Sequence, residues 1–109
     1  MTAWRCFHPS PEDDPTGSVM FRLTSEPLDL AALRRAVSDP HAGAVAVFEG
    51  TVRNHHRGRD VLRLEYEAHP AVAEKEGNRI VSEAVKRFGL DHAEAVHRIG
   101  ELAIEESAV

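Results

Sequence analysis

Residues 53–63 hold the side chains best suited to chemistry: Arg53, Arg57, Arg59 and Arg63 with His55 and His56, against the single acid Asp60. A guanidinium presents a planar fork of donors that matches the paired oxygens of phosphate or carboxylate. An anion site is one reading of this stretch, and a solvated hairpin with scattered charge is the other. Arg53 favours the first, because it closes the apolar run 43–53 (GAVAVFEGTVR), where a charge is costly unless something pairs with it. His55, His56, His69 and His97 raise metal binding, since imidazole is the commonest metal-binding side chain. Their spacing is poor: neighbouring histidines on an extended segment face opposite ways, and no H-x-H or H-x-x-x-H pair occurs. Neither a metal nor a cofactor is expected. Ser18, Ser25, Ser82 and Ser107 lie in no nucleophile-elbow context, and Cys6 falls in the N-terminal stretch, so a nucleophilic triad is disfavoured. Lys75 and Lys86 fall on the solvent face of a helix pattern, while Glu65 and Glu67 read as outer-face charges of a strand.

These groups need elements to position them. Val19, Phe21 and Leu23 alternate with other side chains over 19–24, the period of a half-buried strand. Pro27 and Asp29 supply helix-start chemistry before Leu30, Leu33 and Val37, which share one helical face and stop before Pro40. The run 43–53 predicts a strand buried on both faces. It continues through the polar turn 54–60, with Gly58, into alternating Leu62, Leu64 and Tyr66, so a long hairpin is expected. Pro70 suits a first helical turn. After it, Ala73, Gly77, Ile80, Val81, Ala84, Val85 and Phe88 form an apolar stripe, and Gly89 stands where a helix ends. Gly77 inside that stripe implies a close backbone approach, since it costs about 1 kcal/mol relative to alanine. Two further strands are expected over 93–99 and 102–109, around Gly100, the second without a closing turn.

A chain of 109 residues, 42% apolar and 28% charged, fits one domain with a genuine core. Residues 8–18 carry three of the six prolines with several acids, so 1–18 are expected to form a flexible tail and 19–109 the domain. The net charge of −5 opposes general binding to nucleic acid or membrane surfaces. No apolar stretch reaches the roughly 20 residues that span a bilayer, and residues 1–7 lack a secretory apolar run, which makes the cytoplasm the expected compartment. One cysteine excludes an internal disulfide.

The ordered string of Gly43, Ala44, Phe48, Gly50, Val52 and Arg53, then Gly58, then Leu64, Tyr66, Glu67 and Ala68, then Ala73 and Glu76, and finally VHRIGEL over 96–102 resembles the large, catalytic subunit of molybdopterin synthase. The resemblance covers about residues 19–109. It implies an α+β fold of hammerhead type, with an antiparallel sheet and two helices, here C-terminally incomplete. The activity it implies is sulfur transfer in molybdenum-cofactor biosynthesis. A small ubiquitin-like subunit carries the sulfur as a C-terminal thiocarboxylate, and cyclic pyranopterin monophosphate receives it to form the molybdopterin dithiolene. A central homodimer of large subunits within a heterotetramer is also implied.

Carried across by residue, Thr51, Val52 and Arg53 match the segment that contacts the pterin, with Arg53 the anchor for an anionic group. Phe48, His97 and Arg98 match recurrent positions with structural or pocket-lining roles, and His55 and His56 lie in the loop after the substrate arginine, as candidates for the same pocket. The two lysines that are the family's catalytic candidates have no counterpart here, and Glu105 stands where the family usually has glycine. The expectation is a truncated large subunit with little sulfur transfer of its own. The alternative is an inactive homologue that only dimerises or binds the small subunit. A small RNA-binding protein built on the arginine-rich hairpin is a third idea, opposed by the acidic balance and by a tip without aromatic residues.

Overall fold

Alternating side chains in VMFRLT form strand β1 (Val19–Thr24), as the spacing predicts. The computed structural model describes residues 19–109, so the expected tail over 1–18 lies outside the described residues. Helix α1 (Leu30–Ala36) starts at Asp29, whose carboxylate accepts from the Ala32 amide at 3.0 Å and satisfies a donor that the first turn leaves open. Next come β2 (His55–His56), β3 (Arg59–Asp60) and β4 (Arg63–Tyr66). Helix α2 (Pro70–Phe88) follows, then β5 (Ala93–Arg98) and β6 (Gly100–Ala103). Proline stands at the start of α2, and Gly89 closes it in the left-handed region at φ 62°.

The mixture of two helices and small sheets is α+β, as expected, and its strands pair in twos. β1 runs parallel to β5, with Phe21 beside Ala95 and Leu23 beside His97. β4 runs antiparallel to β6, with Leu64 opposite Leu102. Helix α2 crosses β1 so closely that a Cβ on Gly77 would stand 2.1 Å from the Phe21 ring, which explains the glycine in an otherwise regular helix. Asn78 of α2 also pairs the Phe21 backbone: its Oδ1 accepts from the amide at 2.8 Å and its Nδ2 donates to the carbonyl at 3.1 Å. The helix thereby occupies backbone groups that an edge strand leaves open. Val52, Leu102 and Ala108 make the buried cluster between β4, β6 and the last residues, with Leu64, Tyr66 and Ile104 packed against it.

Four local expectations are corrected. Residues 43–49 are not a strand buried on both faces: they lie exposed, and among the described residues the end of the run is tied to residues 105–109 by the bridge between Thr51 and Ser107, the neighbouring backbone bonds and a bond from the Ser107 hydroxyl to the Glu49 carboxylate. The long hairpin is replaced by two-residue strands around Arg57 and Gly58, because β4 pairs with β6, not with the 43–53 run. On that account Leu62 is 84% exposed while Leu64 and Tyr66 are half-buried. The stripe of α2 is narrower than predicted: Ala73, Gly77, Val81, Ala84 and Val85 turn inward, and Ile80 and Phe88 are exposed. Finally, the strand expected over 102–109 breaks after Ala103 in a turn at Ile104 and Glu105.

Candidate functional site

Val52 and Arg53 divide the work of anchoring and presenting. Val52 is buried in the core cluster, and its amide donates to the Glu106 carbonyl at 2.9 Å while its carbonyl accepts from the Glu105 amide at 2.8 Å. Arg53, one residue on, is exposed, and its Nη2 donates to His56 Nδ1 at 3.1 Å. That bond requires His56 to be neutral with its proton on Nε2. The guanidinium otherwise faces solvent, so the partner predicted for a strand-end charge is an imidazole and the cost of burial is avoided.

Beyond Arg53 the chain turns tightly. His55 pairs with Asp60 and His56 with Arg59, and the Val61 amide donates to the Asn54 carbonyl at 2.8 Å. Arg57 and Gly58 both have positive φ, 51° and 74°, the conformation of a two-residue turn whose twist suits the strands it joins. His55 Nδ1 donates to Asn54 Oδ1 at 3.1 Å. Thr51, Arg53, His55, His56, Arg57 and Arg59 are all exposed, so the structure gathers these arginines and the two histidines around one exposed turn.

His97 and Arg98 stand elsewhere and have different surroundings. The His97 ring meets Tyr66 edge to face at 4.7 Å, and its Nδ1 donates to the Arg98 carbonyl at 2.7 Å. Arg98 is buried: Nη1 donates to Glu106 at 2.8 Å, Nη2 to the Ser25 carbonyl at 3.2 Å, and Nε has no partner among the described residues. The pair ties β5 to the terminal turn and to the end of β1. Phe48 is 82% exposed, at the edge of a cavity of about 660 Å³ that runs between α1, residues 42–48 and β5.

One cluster escaped the sequence reading. Asp39 Oδ2 accepts from His92 Nε2, and its Oδ1 accepts from both the amide of His41 at 2.7 Å and the ring Nδ1 of His41 at 3.0 Å. These bonds, led by the His41 amide, draw the carboxyl down to about 2 against the opposing effect of desolvation. Asp39-Pro40-His41 carries a turn signal, but nothing local to it points to His92, 53 residues further on. On α2, Arg79 bridges Glu76 and Glu83, which lowers the Glu76 carboxyl and raises the guanidinium. Among the described residues no three His, Cys, Asp or Glu side chains are arranged to hold a metal ion, and no helix is long and apolar enough to cross a membrane.

Fold and surface together define an α+β domain that presents a basic, histidine-bearing turn from a buried valine anchor. Residues 23–109 match the MoaE protein family, and the chain belongs to that family. It is 31% identical over 107 residues to the human molybdopterin synthase catalytic subunit, covering 94% of this chain and 57% of that protein. To molybdopterin synthase catalytic subunit 1 of Mycobacterium tuberculosis it is 38% identical over 88 residues, or 81% of this chain and 60% of that one. The bovine catalytic subunit is 34% identical over 90 residues, 83% of this chain and 48% of its own length. The chain thus spans about half the length of the curated relatives it matches.

Proposed function

We propose that this chain serves as the large-subunit component of a molybdopterin synthase, acting in sulfur transfer from a thiocarboxylated small subunit to cyclic pyranopterin monophosphate. One observation carries the reading beyond the family match: Arg53 is held outward by His56, one residue beyond a buried anchor, with Arg57 and Arg59 on the adjoining turn. An arginine so placed can meet a phosphate with both arms of its fork, and the surrounding positive charge draws an anion toward it. Thr51 and Val52 hold the backbone against the terminal segment and fix the direction in which Arg53 leaves the core. His55 and His56 line the approach, Phe48 stands exposed at the edge of the neighbouring cavity, and His97 and Arg98 support the scaffold. The reading includes a homodimer of this chain in a cytoplasmic heterotetramer with the small ubiquitin-like subunit.

The test combines binding and turnover. The 109-residue chain is titrated with cyclic pyranopterin monophosphate and, separately, incubated with it and thiocarboxylated small subunit while dithiolene formation is followed. Arg53→Ala is expected to weaken pterin binding about tenfold to a hundredfold, the worth of one charge-assisted hydrogen bond. Equal binding by wild type and Arg53→Ala removes Arg53 from the site. Absence of both binding and dithiolene defeats the proposal.

A further inference from the structure

We propose that His56 is the positioning residue of the anion site: its neutral imidazole closes one edge of the Arg53 guanidinium and presents the other to an incoming phosphate. The phosphate is that of the proposed pterin substrate, so this role rests on that reading for the identity of the ligand. A guanidinium offers two edges to a pair of oxygens, one formed by Nε and Nη2 and the other by Nη1 and Nη2. Nη2 belongs to both, with one hydrogen on each. It is Nη2 of Arg53 that donates to His56 Nδ1, at 3.1 Å. Whichever of its hydrogens the imidazole takes, one edge is closed and the other stays whole.

Backbone holds both ends of this bond. Arg53 follows Val52, which is buried and bonded through its amide to Glu106 and through its carbonyl to Glu105. His56 stands in the short ladder opposite Arg59, where the left-handed pair Arg57 and Gly58 closes the turn and the Val61 amide bonds the Asn54 carbonyl. The charged and titratable groups around His56 are Arg53, Arg57, Arg59 and His55, and Asp60, the acid of the turn, stands opposite His55 instead. Among the described residues the Arg53 guanidinium pairs with no carboxylate. Arg79 and Arg98, by contrast, are tied to glutamates. A carboxylate in the place of His56 would neutralise Arg53 and compete with an anionic ligand. An imidazole that only accepts orients the guanidinium and leaves its charge intact.

A cyclic phosphodiester has two unesterified oxygens on its phosphorus, and one whole edge of a guanidinium pairs both. An arginine ordered before the ligand arrives also gives up less rotamer freedom on binding. Protonated histidine donates from both nitrogens and accepts at neither, so the arrangement exists only with the neutral ring.

The experiment is a double-mutant cycle on the full 109-residue chain, with cyclic pyranopterin monophosphate and, separately, inorganic phosphate as ligands. His56→Ala is expected to weaken binding about threefold to tenfold, the effect of ordering one long side chain. In the Arg53→Ala background the same change should have no effect. His56→Asn, whose Oδ1 reaches the position of Nδ1 and does not titrate, should restore most of the affinity. In the ligand-free protein, nitrogen relaxation at Arg53 Nε should report a mobile side chain in His56→Ala and an ordered one in the wild type and His56→Asn, with no change at Arg63. Equal weakening by His56→Ala with and without Arg53 overturns the proposal, because His56 then meets the anion itself. So does unchanged Arg53 mobility in His56→Ala, or a failure of His56→Asn to restore binding. A cycle that holds on phosphate while the pterin fails to bind removes the pterin reading and leaves the positioning role standing. Pterin binding that ignores His56 removes the positioning role alone, and absence of binding to either ligand removes both.

Discussion

Glu105 adopts φ 74°, in the left-handed region that a side chain with a Cβ enters at a cost of roughly 1–2 kcal/mol. The turn it occupies cannot relax, because its amide donates to Val52 and its neighbour Glu106 both accepts from the Val52 amide and holds Arg98. This is the position at which resemblance to the family pointed to glycine, and the backbone supplies the reason. Glu105→Gly is expected to raise stability by about 1 kcal/mol, less the entropy that glycine adds to the unfolded chain, and urea denaturation of the two proteins measures it. Asp39 supports a second prediction at this scale. Its carboxyl is drawn to about 2, below the ordinary value near 3.9, so the folded form binds its proton less readily than the unfolded form. The stabilisation is complete above roughly pH 5 and is lost as pH falls toward 2. Asp39→Asn should flatten the acid limb of a pH–stability curve, and an unchanged limb would exclude Asp39 as its source. Neither feature has a local signature that a residue pattern exposes: Glu105 reads as a strand residue, and the bond from His92 to Asp39 spans the whole of α2.

Elements whose causes are local were legible in the chain, and those whose partners lie far away were not. α2 carries its own start at Pro70 and its own stop at Gly89, and α1 its cap at Asp29, so pattern and structure agree. The 43–53 run has every local property of a buried strand, but burial needs neighbours on both sides, and only residues 50–52 find one, in 105–109. Likewise the alternation through Leu62, Leu64 and Tyr66 predicts a strand correctly yet cannot name β6 as its partner. The site divides the same way. A charge-bearing turn around Gly58 was readable, whereas the buried role of Arg98 depends on Glu106 and Ser25, brought in from other segments. Gly77 is the exception in which one residue reports a distant contact, and it tests the packing of α2 on β1. Gly77→Ala gains helix propensity of about 1 kcal/mol. It also drives a methyl into the Phe21 ring, and overpacking of that kind costs roughly 1–3 kcal/mol. A net loss of stability is expected, restored in part by Phe21→Leu in the double variant. A stable Gly77→Ala protein would mean that Phe21 swings away freely.

Across the whole molecule, stability rests on few side chains. Val52, Val96, Leu102 and Ala108 are the buried apolar residues among those described, and three of them form the cluster where residues 50–52, β6 and the terminal segment meet. The other packed unit is α2 on β1 and β5. The two are joined where the Arg98 amide donates to the Ala108 carbonyl and its guanidinium meets Glu106. Leu102, with 0% of its surface exposed, is the largest fully enclosed side chain. Its replacement by alanine is expected to cost about 2–5 kcal/mol, against a total of roughly 5–15 kcal/mol for a domain of ordinary stability. The distribution of that loss is more informative than its size. Because Leu102 holds the anchor of Arg53, amide exchange in Leu102→Ala should accelerate first at Val52, Glu105 and Ala108, while α2 retains protection through Gly77, Asn78 and Phe21. Pterin binding should then fall with the loosened anchor before the protein unfolds. Equal acceleration throughout α2 would show instead that the two packed units open as one, with the ion pair from buried Arg98 to exposed Glu106 strong enough to couple them.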